Sequence, residues 1–347
     1  MKRERVIVAM SGGVDSSVAA AILKKNGYEV VGVFMRMHEK SDPKDARRVA
    51  QKLKIPFKVL DVRKEFKKRI LDYFINEYKK GNTPNPCVEC NRWIKFRFLI
   101  NELNKLKADC IATGHYARIQ RNSKFKIQNS KLLVARDKAK DQSYFLWQLT
   151  QKQLSRVIFP LGNYTKEEVR GLAEKFNLPV YEKKDSQDIC FTLPRRSLQA
   201  KAGSILTTDG KKIGEHKGLA FYTIGQRKGI EIGGTGPYYV VRKDFKNNSL
   251  IVSNLQKDLL QKEMMVKNPN WLSGKPYSGE CKVKIRSMAP MVLVKVMKHV
   301  THNMKQKKYR IIFNKPQRAI TPGQSAVFYL KNELLGGGII TQLIFEK

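Results

Sequence analysis

Three segments of this chain carry residue types suited to group-transfer chemistry. The first is Ser11-Gly12-Gly13-Val14-Asp15-Ser16-Ser17, directly after the apolar run Val6–Met10. Glycines let an anion approach the backbone, and a helix opening there would offer unpaired N–H groups and the positive end of its dipole. Ser11, Ser16 and Ser17 add hydroxyl donors. Asp15 would repel phosphate directly, so bridging Mg2+ or bracing the loop suits it better. No lysine follows the glycines, which separates the loop from the Walker type. A plain strand–turn–helix with a Ser/Asp cap is the simpler alternative.

The second segment is Thr83-Pro84-Asn85-Pro86-Cys87-Val88-Glu89-Cys90-Asn91, and the third is Asp185-Ser186-Gln187-Asp188-Ile189-Cys190-Phe191. Two prolines restrict the backbone around the first thiol pair. Cys90, just before an expected helix Trp93–Lys105, should be favoured as thiolate by the helix N-terminus, with Arg92 and Lys95 adding positive potential. Two distant thiols meeting over an activated carbonyl can divide the work. One carries a persulfide sulfur; the other attacks that persulfide to free the sulfur, leaving a disulfide. A C-x-x-C pair is often half of a zinc site, but no second pair or clustered histidines complete one. An iron–sulfur cluster on Cys87, Cys90 and Cys190 stays open as an alternative, though it is not the expected state. Cys110 and Cys281 lie in strand-like runs and read as core.

The elements that must position these groups begin as an alternation. Strands are expected at Val6–Met10, Glu29–Met37, Phe57–Asp61 and Cys110–Thr113, between helices Val14–Asn26, Lys44–Leu53, Arg63–Lys80 and Trp93–Lys105. This pattern predicts an α/β fold with a parallel sheet, whose ligands bind beyond the carboxyl ends of the strands. Asp141–Phe176 reads as mostly helical, with Thr165-x-x-Glu168 as a capping box, and Pro179–Tyr181 as a strand. Beyond about Phe191, short alternating runs from Tyr238–Arg242 to Gly338–Phe345 suit small β-rich domains or a barrel. The expected domains are 1–200, 201–265 and 266–347.

Composition narrows the partners. In 347 residues, 68 Lys+Arg against 30 Asp+Glu give a formal charge of +38. That excess attracts polyanions, nucleic acid above all, unless it reflects only a lysine-rich composition. The N-terminal apolar run is too short for a signal core, and no stretch approaches a membrane span. A soluble, cytoplasmic protein without a membrane partner is the expectation. Five cysteines, an odd and sparse set, argue against a disulfide framework.

The glycine–serine loop resembles the PP-loop of N-type ATP pyrophosphatases, which adenylate carbonyl oxygens and release pyrophosphate. The ordered set Ser11–Ser17, Asn85-Pro86, Cys90-Asn91, Thr113-Gly114-His115-Tyr116-Ala117, Lys140-Asp141-Gln142-Ser143-Tyr144-Phe145-Leu146 and Ser186–Phe191 is similar to that of the bacterial tRNA-specific 2-thiouridylases, the MnmA family. The likeness continues through Ile213–Gly218, Tyr222–Gly229 and Gln317–Gln324, so it spans nearly the whole chain.

The resemblance implies a PP-loop domain, a small central domain and a C-terminal β-barrel. It implies ATP, with Mg2+, on Ala9, Met10, Ser11, Gly12, Gly13, Val14, Asp15, Ser16, Met35 and Gly114. It makes Cys90 the nucleophile and Cys190 the persulfide carrier. Asn85, Pro86 and Cys87 would meet the target base, and His115, Lys140, Asp141, Gln142, Arg286, Ser287 and Gln324 would touch tRNA. A cysteine desulfurase or sulfur-carrier protein would supply sulfur. Two departures stand out: many relatives carry Asp where Cys87 stands, and the family's Arg-Tyr pair in the barrel is Arg286-Ser287 here. The implied reaction is ATP-dependent 2-thiolation of the wobble uridine. A basic RNA-binding protein with a vestigial ATP site, or another adenylating PP-loop enzyme, are the alternatives.

Overall fold

The computed structural model describes residues 3–121, 130–184, 190–191, 198, 201–230, 232, 237–299 and 307–341. The N-terminal part runs β1 (Arg5–Ala9), α1 (Val14–Lys25), β2 (Glu29–Arg36), α2 (Lys44–Lys52), β3 (Phe57–Asp61), α3 (Arg63–Phe66), α4 (Asp72–Lys79), α5 (Pro86–Cys90), α6 (Phe96–Lys105), β4 (Cys110–Ala112), β5 (Arg118–Gln120), β6 (Lys131–Leu133), α7 (Gln151–Leu154), β7 (Val157–Ile158) and α8 (Lys166–Lys175). Strands β3-β2-β1-β4-β7 form a parallel sheet in that order. Their side chains alternate with the period of two that a strand imposes. Ile7, Val33 and Ile111 enter one core with Phe66, Ile94 and Phe96; Val6, Val8 and Met10 enter the other with Val18, Ile22 and Val49. With both faces covered, the strands read as near-continuous apolar runs.

The middle strand matters most. The chain moves from β1 to β2 and β3 on one side, then returns to lay β4 on the other. The direction of the chain thus switches between β1 and β4, the position at which such sheets bind ligands beyond the strands' carboxyl ends.

A small central sheet follows, of β8 (Gly203–Thr207), β9 (Lys212–His216), β10 (Tyr239–Asp244) and β11 (Ser249–Ser253), ordered β10-β11-β8-β9 around Ile205, Leu219, Tyr222, Val240, Leu250 and Val252. Then β12 (Leu260–Trp271), β13 (Gly279–Lys284), β14 (Val292–His299), β15 (Lys308–Arg318), β16 (Ser325–Leu330) and β17 (Glu333–Thr341) close through a β12–β17 pairing into a six-stranded antiparallel barrel. The expected α/β sheet, central β-rich unit and barrel are thus all present.

Three local expectations are corrected. The helix expected at Trp93 starts at Pro86: Asn85 accepts the Cys87 N–H at 3.2 Å as N-cap, and Pro86 at the first helical position has no donor to lose. The stretch Asp141–Phe176 is not mostly helical. It holds a 3-10 turn at Ser143–Leu146, then α7, β7 and α8, because Tyr144, Leu146, Trp147 and Leu149 are all buried and leave no solvent face. Only the Thr165–Glu168 capping box forms as expected. Pro179–Tyr181 is a turn, with Tyr181 N–H donating to Leu178 O at 3.1 Å. Apart from these, β5 and β6 pair with each other and extend the barrel sheet through β6–β17. Residues 185–189 of the third motif lie outside the described residues, as does the end of the last expected strand beyond Thr341.

Candidate active site

The glycine loop sits at the carboxyl end of β1, where Met10 N–H donates to Val33 O and fixes the strand's last residue. Gly12 has φ of 78°, a left-handed conformation that disfavours any side chain, and Gly13 is the N-cap of α1. The serines tie the loop to itself: Ser11 N–H donates to Ser16 Oγ at 3.1 Å, and the Ser16 and Ser17 hydroxyls donate to Gly13 O at 3.2 and 2.8 Å. Val14 is buried on α1, Met35 is buried near the end of β2, and Ala9 is half-buried at the end of β1. Gly114 follows β4 and lies against the loop: a Cβ there would fall 2.8 Å from Ser16 N and 2.9 Å from the Asp15 carbonyl carbon. The segment from Ala9 to Ser16 and Gly114 thus meet at the carboxyl ends of β1 and β4, while Met35 lies near the end of β2, on the other side of β1.

Asp15 braces the loop. Its Oδ1 accepts from the Tyr116 hydroxyl at 2.9 Å and from Lys166 Nζ at 2.7 Å. Lys183 Nζ donates to Gly12 O at 3.1 Å and to the Asp45 carboxylate at 2.6 Å. Sequence reasoning missed Tyr116, Lys166 and Lys183 in these roles. Their signal is spatial: two lysines from the far end of the domain supply the positive charge that a Walker loop carries within itself.

The thiols come together on the other core. Cys90 is 5% exposed and shares a hydrophobic cluster with Met35, Ile94, Phe96 and Phe191. Phe191 packs edge-on against Phe66 and Phe74, with ring centroids 5.8 and 5.4 Å apart, and so anchors the exposed Cys190 beside it. Burial pushes the Cys90 thiol up to about 12, with charge on Cys190 or Cys87 opposing its ionisation further and Lys95 favouring it. Burial likewise raises Cys87 and Cys190, again against Lys95. The expected thiolate at Cys90 is thus corrected. The helix begins at Pro86, so Cys90 sits a full turn inside it, where desolvation outweighs the dipole. Among the described residues no group of three or more His, Cys, Asp or Glu side chains is arranged to hold a metal ion.

Around this centre, the residues expected to meet RNA divide by what they bond. Asn85 caps α5, Pro86 is buried and Cys87 half-buried at the start of that helix. His115 accepts or donates a 2.8 Å bond with Thr113 Oγ1 and stacks on Phe96 at 5.9 Å; burial holds its pKa well below the usual imidazole value. Gln142 Oε1 accepts from Tyr116 N–H at 3.0 Å, and Asp141 accepts from Ala135 N–H and the Ser143 hydroxyl at 2.9 and 2.7 Å. Lys140 is half-buried on the same turn. Gln142, Tyr116 and Asp15 consequently form a chain of contacts from this turn to the glycine loop.

In the barrel, Gln324 Nε2 donates to Thr83 O at 2.7 Å, joining the barrel to the segment that leads to Asn85. Arg286 donates to Ile224 O, Ala319 O and Thr321 Oγ1 at 3.3, 2.8 and 2.6 Å, and the Ser287 carbonyl accepts from Lys284 at 3.4 Å.

Comparison with known proteins places this arrangement. Family models described as a tRNA methyl transferase HUP domain, a tRNA methyl transferase PRC-barrel domain and an aminomethyltransferase beta-barrel domain match residues 4–193, 194–254 and 261–340 in turn. A tRNA-specific 2-thiouridylase MnmA 2 of Clostridium botulinum (strain Loch Maree / Type A3) is 42% identical over 99% of this chain and 100% of its own. Another of that name, from Thermoanaerobacter sp. (strain X514), is 45% identical over 97% of each. Among solved structures, a 4-thiouridine synthetase–RNA complex with bound ATP matches 54% of this chain and 44% of its own at 19% identity and a TM-score of 0.36. On the identity and coverage of its curated relatives, the chain belongs to the tRNA-specific 2-thiouridylase family.

Proposed function

We propose that this protein is a tRNA-uridine 2-sulfurtransferase that spends ATP to exchange the C2 oxygen of the wobble uridine for sulfur. ATP lies over Ala9 to Ser16, between Met35 and Gly114, with its phosphates on the N-terminus of α1. Asp15 suits a share in Mg2+, since its Oδ2 makes no bond among the described residues while Oδ1 is held by Tyr116 and Lys166. When bound, the ion would neutralise phosphate charge; the loop lysines Lys166 and Lys183 contribute to that field from the protein side. The reading uses the thiol chemistry of Cys90 and Cys190, with an iron–sulfur cluster on Cys87, Cys90 and Cys190 as its alternative.

The uridine flips out to present O2, near Asn85, Pro86 and Cys87. Attack of O2 on the α-phosphate forms the O2–P bond and expels pyrophosphate, making AMP the leaving group. Cys90 sulfur then attacks the inner sulfur of the Cys190 persulfide, forming a Cys90–Cys190 disulfide and releasing hydrosulfide. Hydrosulfide adds at C2, and AMP departs with the old oxygen. An external thiol reductant reopens the disulfide. A cysteine desulfurase or a sulfur-carrier protein reloads Cys190. Cys190 is the exposed thiol and Cys90 the buried one, which suits loading from outside and resolution from within. His115, Lys140, Asp141 and Gln142 line the RNA side of the crevice, while Arg286, Ser287 and Gln324 hold the barrel where it meets the same RNA. The division at 1–200, 201–265 and 266–347 is the proposed domain organisation.

The observation that carries this reading is the packing of Cys90 in one buried cluster with Met35 and with Phe191, the residue next to Cys190. The test is mass spectrometry of tRNA nucleosides after incubation with ATP, Mg2+ and a persulfide source. Cys190→Ser should lose thiolation to background while still binding ATP. Wild-type levels of thiolated uridine from that variant would overturn the assignment.

A further inference from the structure

One cluster outside the described site carries more positive charge than its surroundings balance. The π-helical segment Asn91–Lys95 links α5 to α6, and a second, Lys67–Leu71, links α3 to α4 and packs against α5. Together they bring three guanidinium groups onto one indole: Arg69, Arg92 and Arg97 lie 4.6, 4.5 and 5.6 Å from the Trp93 ring centroid. Arg92 and Arg97 are exposed, Trp93 and Arg69 half-buried.

The neighbouring carboxylate, Glu89, is engaged elsewhere. It accepts from Trp93 Nε1 at 3.0 Å and from Gln148 Nε2 at 2.7 Å. None of the three arginines forms an ion pair among the described residues; Arg92 reaches only Gln148 Oε1, at 3.4 Å. Exposed Lys67 and Lys68 precede Arg69. Cation–π contact with the indole offsets part of the mutual repulsion of three like charges. Guanidinium planes fixed around an aromatic face form a ready fork for phosphate oxygens.

We propose that Arg69, Arg92 and Arg97, arrayed around Trp93, grip the phosphate backbone of the tRNA beside the nucleotide being modified. Arg92 and Trp93 lie two and three residues after Cys90, on the continuation of the helix that Asn85 caps and Pro86 and Cys87 begin, so a strand threading to that first turn passes the cluster. Arginine and tryptophan also anchor protein interfaces. The cluster, however, is dominated by charge, and the chain's +38 favours a polyanion. The inference rests on tRNA being the substrate.

The test measures binding of an unmodified tRNA transcript to wild type and to the Arg69→Gln/Arg97→Gln double variant, at salt from about 50 to 200 mM. Affinity should fall about tenfold, and the slope of log K against log salt should shrink by roughly 1.5, as two phosphate contacts would give. Arg69→Lys/Arg97→Lys should restore most of the slope. Several results would overturn the proposal: unchanged affinity and slope, a loss of melting temperature with an unchanged slope, or lost affinity for a persulfide-donor protein with tRNA binding intact. If wild type itself fails to bind tRNA, the thiolation reading falls too, which separates the two failures.

Discussion

At the scale of single residues, the three thiols differ through environment rather than chemistry. Cys190 is exposed, Cys87 half-buried and Cys90 buried. For an acid such as a thiol, desolvation disfavours the charged form, so the Cys90 value near 12 leaves thiolate a trace species at neutral pH. The sign is definite: as pH rises toward that value, thiolate and its reactivity grow. Iodoacetamide labelling read by peptide mass spectrometry should modify Cys190 first and Cys90 last. The Cys90 rate should climb about tenfold per pH unit between about pH 7 and 10. Labelling of Cys90 as fast as Cys190 at neutral pH would show that the resting site is open. Lys95 is the counterweight, a cation that favours the charged form of all three thiols.

At the scale of elements, function depends on how closely the loops after β1 and β4 approach. Gly114 has no room for a methyl group, because the backbone of Asp15 and Ser16 lies under 3 Å from where a Cβ would be. Gly114→Ala should push the two loops apart. The expected result is at least a tenfold loss of affinity for a non-hydrolysable ATP analogue by calorimetry, and destabilisation of about 1–3 kcal/mol. Gly171 in α8 is the control, since nothing lies within 4 Å of its Cβ position. There, alanine should leave ATP affinity unchanged and raise stability slightly, as helix propensity requires. Unaffected ATP binding in Gly114→Ala would mean that nucleotide does not occupy this crevice.

At the scale of the whole molecule, the barrel is fastened to the N-terminal parallel-sheet part rather than tethered. Trp147 Nε1 donates to Ser325 Oγ at 3.0 Å, Tyr144 Oη donates to Ser325 O at 2.9 Å, and Thr83 N–H donates to Pro322 O at 2.8 Å. Arg286 joins the barrel to the central domain through Ile224 O, while bonding Ala319 and Thr321 within the barrel. Arg286→Met removes the donor to Ile224 O and Thr321 Oγ1, while Ala319 O keeps the Thr321 hydroxyl at 2.9 Å, and should cost about 1–3 kcal/mol in denaturant unfolding. Amide exchange around Gly225 should accelerate with it. An unchanged unfolding midpoint would show that the bonds contribute nothing net.

The sequence by itself determined what local rules control. Apolar runs of strand length alternating with amphipathic helices specified the parallel sheet. The Ser11–Ser17 string placed a glycine turn between the first strand and the first helix, where it formed, and Thr165-x-x-Glu168 marked a helix start that formed. Tertiary structure decided whatever depends on partners distant in the chain. Asn85 and Pro86 started a helix before Cys90, and core packing by Phe96 and Phe191 kept that thiol protonated. The buried run Tyr144–Leu149 lost its expected helix because the barrel covers the side that solvent would occupy. Lys166 and Lys183 reached the glycine loop across the domain, and β6 paired with β17. Burial and long-range pairing are set by the whole packed chain, and no window of neighbouring residues contains them.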